Sequence, residues 1–168
     1  MSCKENEKLT TSTNGLELIK HFEGFKATAY FCPAHKPTIG YGHTGNDVTE
    51  ADVNVKTITQ AEAEALLRAD LKIAENGVKS HCNVPLTQCQ FDALVSFTYN
   101  LGAGNLKSST LLKMLNASDF TGAEAQFPRW CKSGGKTVDG LLRRRHAEAA
   151  LFAGNDNWHS FLAPQTQN

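Results

Sequence analysis

The stretch Glu23-Gly24-Phe25-Lys26-Ala27-Thr28-Ala29-Tyr30-Phe31-Cys32-Pro33-Ala34-His35-Lys36-Pro37-Thr38-Ile39-Gly40-Tyr41-Gly42-His43 decides how this chain folds. Just before it, Leu18, Ile19 and Phe22, continued by Phe25, recur at helical spacing, and Ser12, Thr13 and Asn14 offer N-caps. Gly24 supplies the stop, which places Glu23 in the last turn of a first helix. Over residues 27–44 the pattern changes. Tyr, Phe, Thr and Ile alternate with the punctuation of Pro33, Pro37 and Gly40, and this predicts short strands joined by tight turns. No other part of the sequence reads convincingly as β structure.

Working outward, the rest of the chain reads as helix. Thr59 and Glu62 have capping-box spacing, and Ala63, Leu67, Leu71, Ala74 and Val78 continue one apolar stripe through a long helix over about residues 59–79. Thr87 with Gln90 repeats the signal ahead of Phe91, Leu94, Val95 and Thr98, and that helix ends near Gly102. Further helices are predicted over residues 109–115, 120–127 and 141–152, the last stopped by Gly154. The fold class is α+β and mostly helical, with a small amino-terminal lobe holding a β-hairpin or short sheet, a long connecting helix and a larger helical carboxy-terminal lobe. Residues 1–10 lack periodicity and are expected to form a flexible tail. Residues 11–168 form a single domain, its lobes about 11–58 and 80–168 joined by the helix over 59–79.

At 168 residues the chain is long enough to bury a core without covalent staples. Seventeen Lys and Arg balance seventeen Asp and Glu, which argues against a nucleic-acid partner. The charges are unevenly spread. Residues 1–100 carry nine basic and twelve acidic side chains and residues 101–168 eight and five, so the second part suits an anionic polymer. Cys3, Cys32, Cys82, Cys89 and Cys131 are odd in number and irregularly spaced, which favours reduced thiols. No run approaches the roughly 18 apolar residues of a membrane helix or the about 7–15 of a signal-peptide core. The sequence is therefore expected to have neither signal peptide nor transmembrane segment.

Glycosidic cleavage needs a proton donor for the leaving oxygen, and groups that hold water or stabilise an oxocarbenium-like centre. Glu23 fits the first task, since the negative end of its helix and the apolar Phe22 and Phe25 both favour the protonated acid. Glu23, eight residues, Cys32, five residues, Thr38, and then Ile39-Gly40-Tyr41-Gly42-His43 resemble the Glu-x8-(Asp or Cys)-x5-Thr motif of the phage-type lysozymes, glycoside hydrolase family 24. Pro85-Leu86-Thr87-Gln88, Gln90-Phe91-Asp92-Ala93-Leu94, Asn100-Leu101-Gly102-Ala103-Gly104, Ser109-Thr110-Leu111-Leu112 and Gly140-Leu141 ahead of Arg144-Arg145 are similar to the same family. The likeness spans roughly residues 14–154 and implies a lysozyme-like fold.

It also implies that Glu23 is the general acid, with Cys32 and Thr38 holding water and stabilising charge. A nearby Glu and a helix C-terminus should keep the Cys32 thiol neutral, able to orient water but not to supply a full charge. Tyr41, between Gly40 and Gly42, marks a bend where a sugar approaches. Asn100, with an amide donor and acceptor at a helix end, suits a substrate N-acetyl group. Among Arg143, Arg144 and Arg145, the resemblance points to one that pairs with Glu23 or the substrate, and Arg144 is the choice. Asp70 stands where the family has an acid opposite His43, giving a structural His43–Asp70 pair. No cofactor and no metal site are expected, because no His or Cys set has ligand spacing.

The implied activity is hydrolysis of the β-1,4 bond between N-acetylmuramic acid and N-acetylglucosamine in a cleft between the lobes. The implied partner is the peptidoglycan glycan strand. A monomeric endolysin would be made in the host bacterial cytoplasm, without stable membrane insertion, and would reach the wall through a holin or similar lesion. Two alternatives remain open: a peptidoglycan-binding protein that has lost catalysis, motivated by the missing carboxylate at Cys32, and a bacterial antagonism effector with the same core.

Overall fold

The structure is a computed structural model and describes residues 3–162. The chain divides into two compact units: residues 23–72, and the segments before 23 and after 72. The architecture is α+β and mostly helical, as the sequence predicts.

In the smaller unit, β1 (Lys26–Phe31) and β2 (Pro37–Gly40) pair antiparallel, with Tyr30 opposite Thr38 and Phe31 opposite Pro37. A bulge lies between Lys26 and Tyr30. On its other edge β1 meets the segment ahead of the long helix: the Ala29 N–H donates to the Lys56 carbonyl at 2.9 Å, and the Ile58 N–H donates to Ala27 at 2.9 Å. Ala29, Ile39 and Val48 form a small core, with Ile58 and Leu66 against it. Alternation then assigns the faces. Ala29 and Ile39 point into the core, so Tyr30 and Thr38 occupy the opposite face of the hairpin. Gly40 ends β2 at φ +69°, a backbone conformation that favours glycine, and a side chain there would also crowd the Cβ of Ala63 at 3.1 Å.

In the larger unit, α1 (Thr13–Glu23) buries Leu16, Leu18 and Ile19, and Gly24 at φ +73° ends it. Helix α2 (Gln60–His81) begins in one unit and ends in the other. Its predicted capping box is present, with the Thr59 N–H donating to Glu62 Oε1 at 3.0 Å and the Glu62 N–H to Thr59 Oγ1 at 3.1 Å. The stripe Ala63, Leu67, Leu71, Ala74 and Val78 is buried throughout. Helix α3 (Gln88–Leu101) opens with the Thr87–Gln90 box and buries every residue from Phe91 to Thr98, because it is the central helix of this unit. Helix α7 (Asp139–Phe152) packs against it. Edge-on contacts of Phe97 with Phe127 and Trp130, at 5.6 and 5.5 Å, complete the aromatic part of the core.

Between α3 and α7 lie α4 (Ala103–Ser108), α5 (Thr110–Asn116) and α6 (Phe120–Gln126), followed by β3 (Lys132–Ser133) and β4 (Lys136–Thr137). Helix α4 and the β3–β4 hairpin go beyond the predicted elements. Gly134 and Gly135, at φ +58° and +81°, form the tight turn that joins β3 to β4.

The segment expected to be a flexible tail is anchored where it is described. Lys4–Asn6 form a 3-10 turn, and the buried Asn6 donates to the Val84 carbonyl at 2.8 Å and accepts from the Leu86 N–H at 2.9 Å. The Thr10 carbonyl accepts from Gln88 Nε2 at 2.9 Å, and just beyond the segment Thr11 donates to Glu75 through both its N–H and its hydroxyl, each at 2.7 Å. Asn and Thr side chains, not an apolar period, do the docking, so periodicity missed it. The five cysteines are free thiols.

Candidate active site

Glu23 is the last residue of α1, half-buried, and the chain turns at Gly24 straight into β1. The hairpin then doubles back through residues 32–36. The Cys32 N–H donates to the Lys36 carbonyl at 2.9 Å, the His35 N–H donates to Cys32 at 2.7 Å, and His35 takes φ +61° to close the loop. This turn aims the Lys36 N–H at Cys32 Sγ, 3.4 Å away. Thr38, 3% exposed on β2, donates from Oγ1 to the Lys36 carbonyl at 2.9 Å.

The thiol departs from expectation here. Backbone hydrogen bonding from Lys36 holds the Cys32 pKa below its ordinary value against a smaller opposing effect of desolvation, with lesser help from the Thr38 hydroxyl, the Ala34 N–H and the Lys36 charge. Sequence reasoning considered the helix end and Glu23, and missed the donors that the turn itself supplies. It also missed Tyr30. Tyr30 faces Thr38 across the hairpin, and its pKa is raised above the ordinary value by partial burial first, then by electrostatic interaction with Cys32 and Glu23. The phenol therefore lies in the field of both groups. The signal was readable, since Cys32 directly follows the strand and lies two residues after Tyr30.

His43 follows β2 through a backbone bridge to Ile39, with 2.9 Å hydrogen bonds in both directions. Its Nδ1 lies 2.7 Å from Asp70 Oδ2, joining the two residues that the sequence paired. The ring has a second carboxylate that the sequence did not suggest: Nε2 lies 2.9 and 3.0 Å from the two oxygens of Asp47. With carboxylates at both nitrogens, the geometry favours the imidazolium, which can donate from each. Desolvation opposes that charge, yet the bonds from Asp70 and Asp47 outweigh it and raise the His43 pKa above its ordinary value. Asp47 is lowered in turn, chiefly by its bond to His43. Tyr41, expected at the sugar's approach, is only 4% exposed. Its ring lies 5.6 Å from Phe25 and its hydroxyl accepts from Gln60 Nε2 at 3.2 Å, so the side chain packs inside the bend.

Asn100 and Arg144 belong to the larger unit. Arg144 is buried, its guanidinium 5.9 Å from the Phe22 ring centroid and its Nε 3.3 Å from Glu148 Oε2. Ser96 donates to the same carboxylate at 2.5 Å, and Arg144 Nη2 reaches the Ser96 carbonyl at 3.3 Å. Arg145 is fully buried, 3.1 Å from Glu148 Oε1, and donates from Nη2 to Asn100 Oδ1 at 2.6 Å. Glu148, shared by two arginines, was not singled out in the sequence, although its positions three and four residues after them carry the signal. Among the described residues, no group of three or more His, Cys, Asp or Glu is arranged to hold a metal ion.

The fold and these residues define the class: a lysozyme-like α+β protein in which a glutamate ends the first helix and a hairpin carrying Cys and Thr follows. The model of the family described as phage lysozyme matches residues 20–148, and the chain belongs to that family. It is 49% identical over 146 residues to the endolysin of Bacillus phage B103, covering 86% of this chain and 54% of that protein. It is 46% identical over 145 residues to the endolysin of Acyrthosiphon pisum secondary endosymbiont phage 1, covering 84% of this chain and 96% of that protein. Among solved structures, the muramidase domain of SpmX from Asticaccaulis excentricus superposes with a TM-score of 0.78 at 36% identity, covering 86% of this chain and 98% of that one. The chain spans about half the length of the Bacillus phage relatives it matches.

Proposed function

We propose that this chain is a muramidase that hydrolyses the β-1,4 bond between N-acetylmuramic acid and N-acetylglucosamine, acting as a phage endolysin. The observation that carries this reading is the grouping of Glu23, at the end of α1, with Cys32 and Thr38 on the hairpin that follows it. In the proposed reaction the Glu23 carboxyl gives its proton to the oxygen leaving on C4 of N-acetylglucosamine as the C1–O bond of N-acetylmuramic acid breaks. Water, held by Thr38 and Cys32, then bonds through its oxygen to C1 and gives up one proton to the Glu23 carboxylate, which regenerates the acid.

Cys32 stands where a carboxylate is the alternative. The Lys36 N–H favours the thiolate, so the hairpin can present a negative group beside the developing oxocarbenium centre. This is why catalysis is favoured over the reading of a binding protein that has lost it. Asn100 and Arg144 are assigned to substrate binding, with Tyr41, His43 and Asp70 holding the bend after β2. The domain reading stays that of one lysozyme-like domain. Among the described residues no helix is long and apolar enough to cross a membrane. The proposal includes synthesis in the host cytoplasm, release to the wall through a holin-type lesion, and action as a monomer.

The test is the chemistry of the new end. Purified peptidoglycan digested by the protein and reduced with borohydride should yield muramitol-ended fragments. Glucosaminitol ends, or no new reducing ends, would refute a muramidase.

A further inference from the structure

Asn100 lies in the last turn of α3, ahead of Gly102 at φ +92°, and is half-buried. Its amide is not free to turn over. A guanidinium has five donors and no acceptor, so the amide atom facing Arg145 must be the oxygen, and Nη2 and Oδ1 are 2.6 Å apart. Arg145 is itself fully buried, with its guanidinium 5.3 Å from the Phe97 ring centroid and its Nε 3.1 Å from Glu148 Oε1. With the oxygen committed, the Nδ2 group points away from the arginine. No acceptor takes it among the described residues.

We infer that Arg145 is a positioning residue that fixes Asn100 as a one-way hydrogen-bond donor, and that this donor reads the acetamido carbonyl of a 2-acetamido sugar. The inference rests on the muramidase reading for its ligand class, because both sugars of the proposed substrate carry that carbonyl. An amide free to flip would accept from a sugar hydroxyl as readily as it donates to a carbonyl. A locked one selects for the acceptor, and leaving a committed donor unpaired is what rejects the wrong ligand.

The experiment uses the Glu23→Gln protein, so that binding is measured without turnover, titrated with N-acetylglucosamine tetramer and with its N-deacetylated tetramer. With Asn100 present, the acetylated glycan should bind about tenfold more tightly. Asn100→Asp keeps the Arg145 bond and the melting temperature but offers only acceptors, so the preference should reverse toward the amine-bearing glycan. Asn100→Ala should abolish the preference without reversing it. Arg145→Lys should retain it, and Arg145→Met should erase it. In the active protein, Asn100→Asp should raise KM on peptidoglycan with kcat within about twofold, a split that a merely structural role would not give. Failure of the two readings is separable. Loss of muramidase activity with the acetyl preference intact refutes the enzyme and leaves the subsite. Equal binding of both glycans with Asn100 present, no binding of either, or an unchanged preference in Asn100→Asp overturns the subsite.

Discussion

Cys32 is the residue at which sequence and structure part most instructively. The motif spacing marked its position, but the thiol's state depends on the N–H that a five-residue turn directs at its sulfur. Turn geometry of that kind has no period to read. Two outcomes follow at this scale. Alkylation by iodoacetamide at neutral pH should label Cys32 early, because its pKa is lowered, and Cys82 last, because burial pushes that thiol up to about 12. Peptide mass mapping over a time course checks the order, and labelling of Cys82 first would contradict it. Substitution tests the role: Cys32→Asp should retain substantial activity, Cys32→Ser less and Cys32→Ala least. Wild-type turnover by Cys32→Ala would show that the residue only packs.

Elements with strong local signals were legible. The Thr59–Glu62 and Thr87–Gln90 boxes, the stripe along α2 and the glycine stops at Gly24, Gly102 and Gly154 each have a physical mechanism at fixed spacing, and the helices begin and end beside them. The β3–β4 hairpin was missed because its strands are two residues each, too short for alternation to register, although Gly134-Gly135 marked the turn. The bend after β2 is where an element depends on titration. His43→Ala and Asp70→Ala in a double-mutant cycle should show a coupling of about 2 kcal/mol at neutral pH. Asp47, mostly exposed, should couple by less than about 1 kcal/mol. Since the folded His43 pKa is raised, its contribution is complete below the ordinary value of about 6.5 and is lost as pH rises through the folded one. Asp47 is lowered, so its contribution is present above the ordinary Asp value and is lost as pH falls through its folded pKa. Urea titrations across pH check both limbs. A coupling of zero, or one that grows as His43 deprotonates, would reject the clamp.

At the scale of the molecule, the sequence conveyed a small β-containing part and a larger helical part, but not which charges the larger part would bury. Of three consecutive arginines on a helix, the sequence singled out Arg144 for Glu23 or the substrate, and nothing in it marked Arg145 or Glu148 as buried. In the fold, Arg144, Arg145 and Glu148 lie within the packing of α3 against α7, at 3%, 0% and 0% exposure. Removing the shared anion leaves two buried cations without it, so Glu148→Ala should cost about 3–5 kcal/mol in a denaturant titration, and a change below about 1 kcal/mol would contradict this account of the core. The same unit fixes Asn100 through Arg145, so stability and substrate reading are linked through one buried network. The central claim, however, rests on a single proton. Reducing-end release from purified peptidoglycan should fall by about 10²–10⁴-fold in Glu23→Gln, with unchanged circular dichroism and melting temperature. Activity within a factor of about two of the parent protein, in a folded variant, would contradict Glu23 as the general acid.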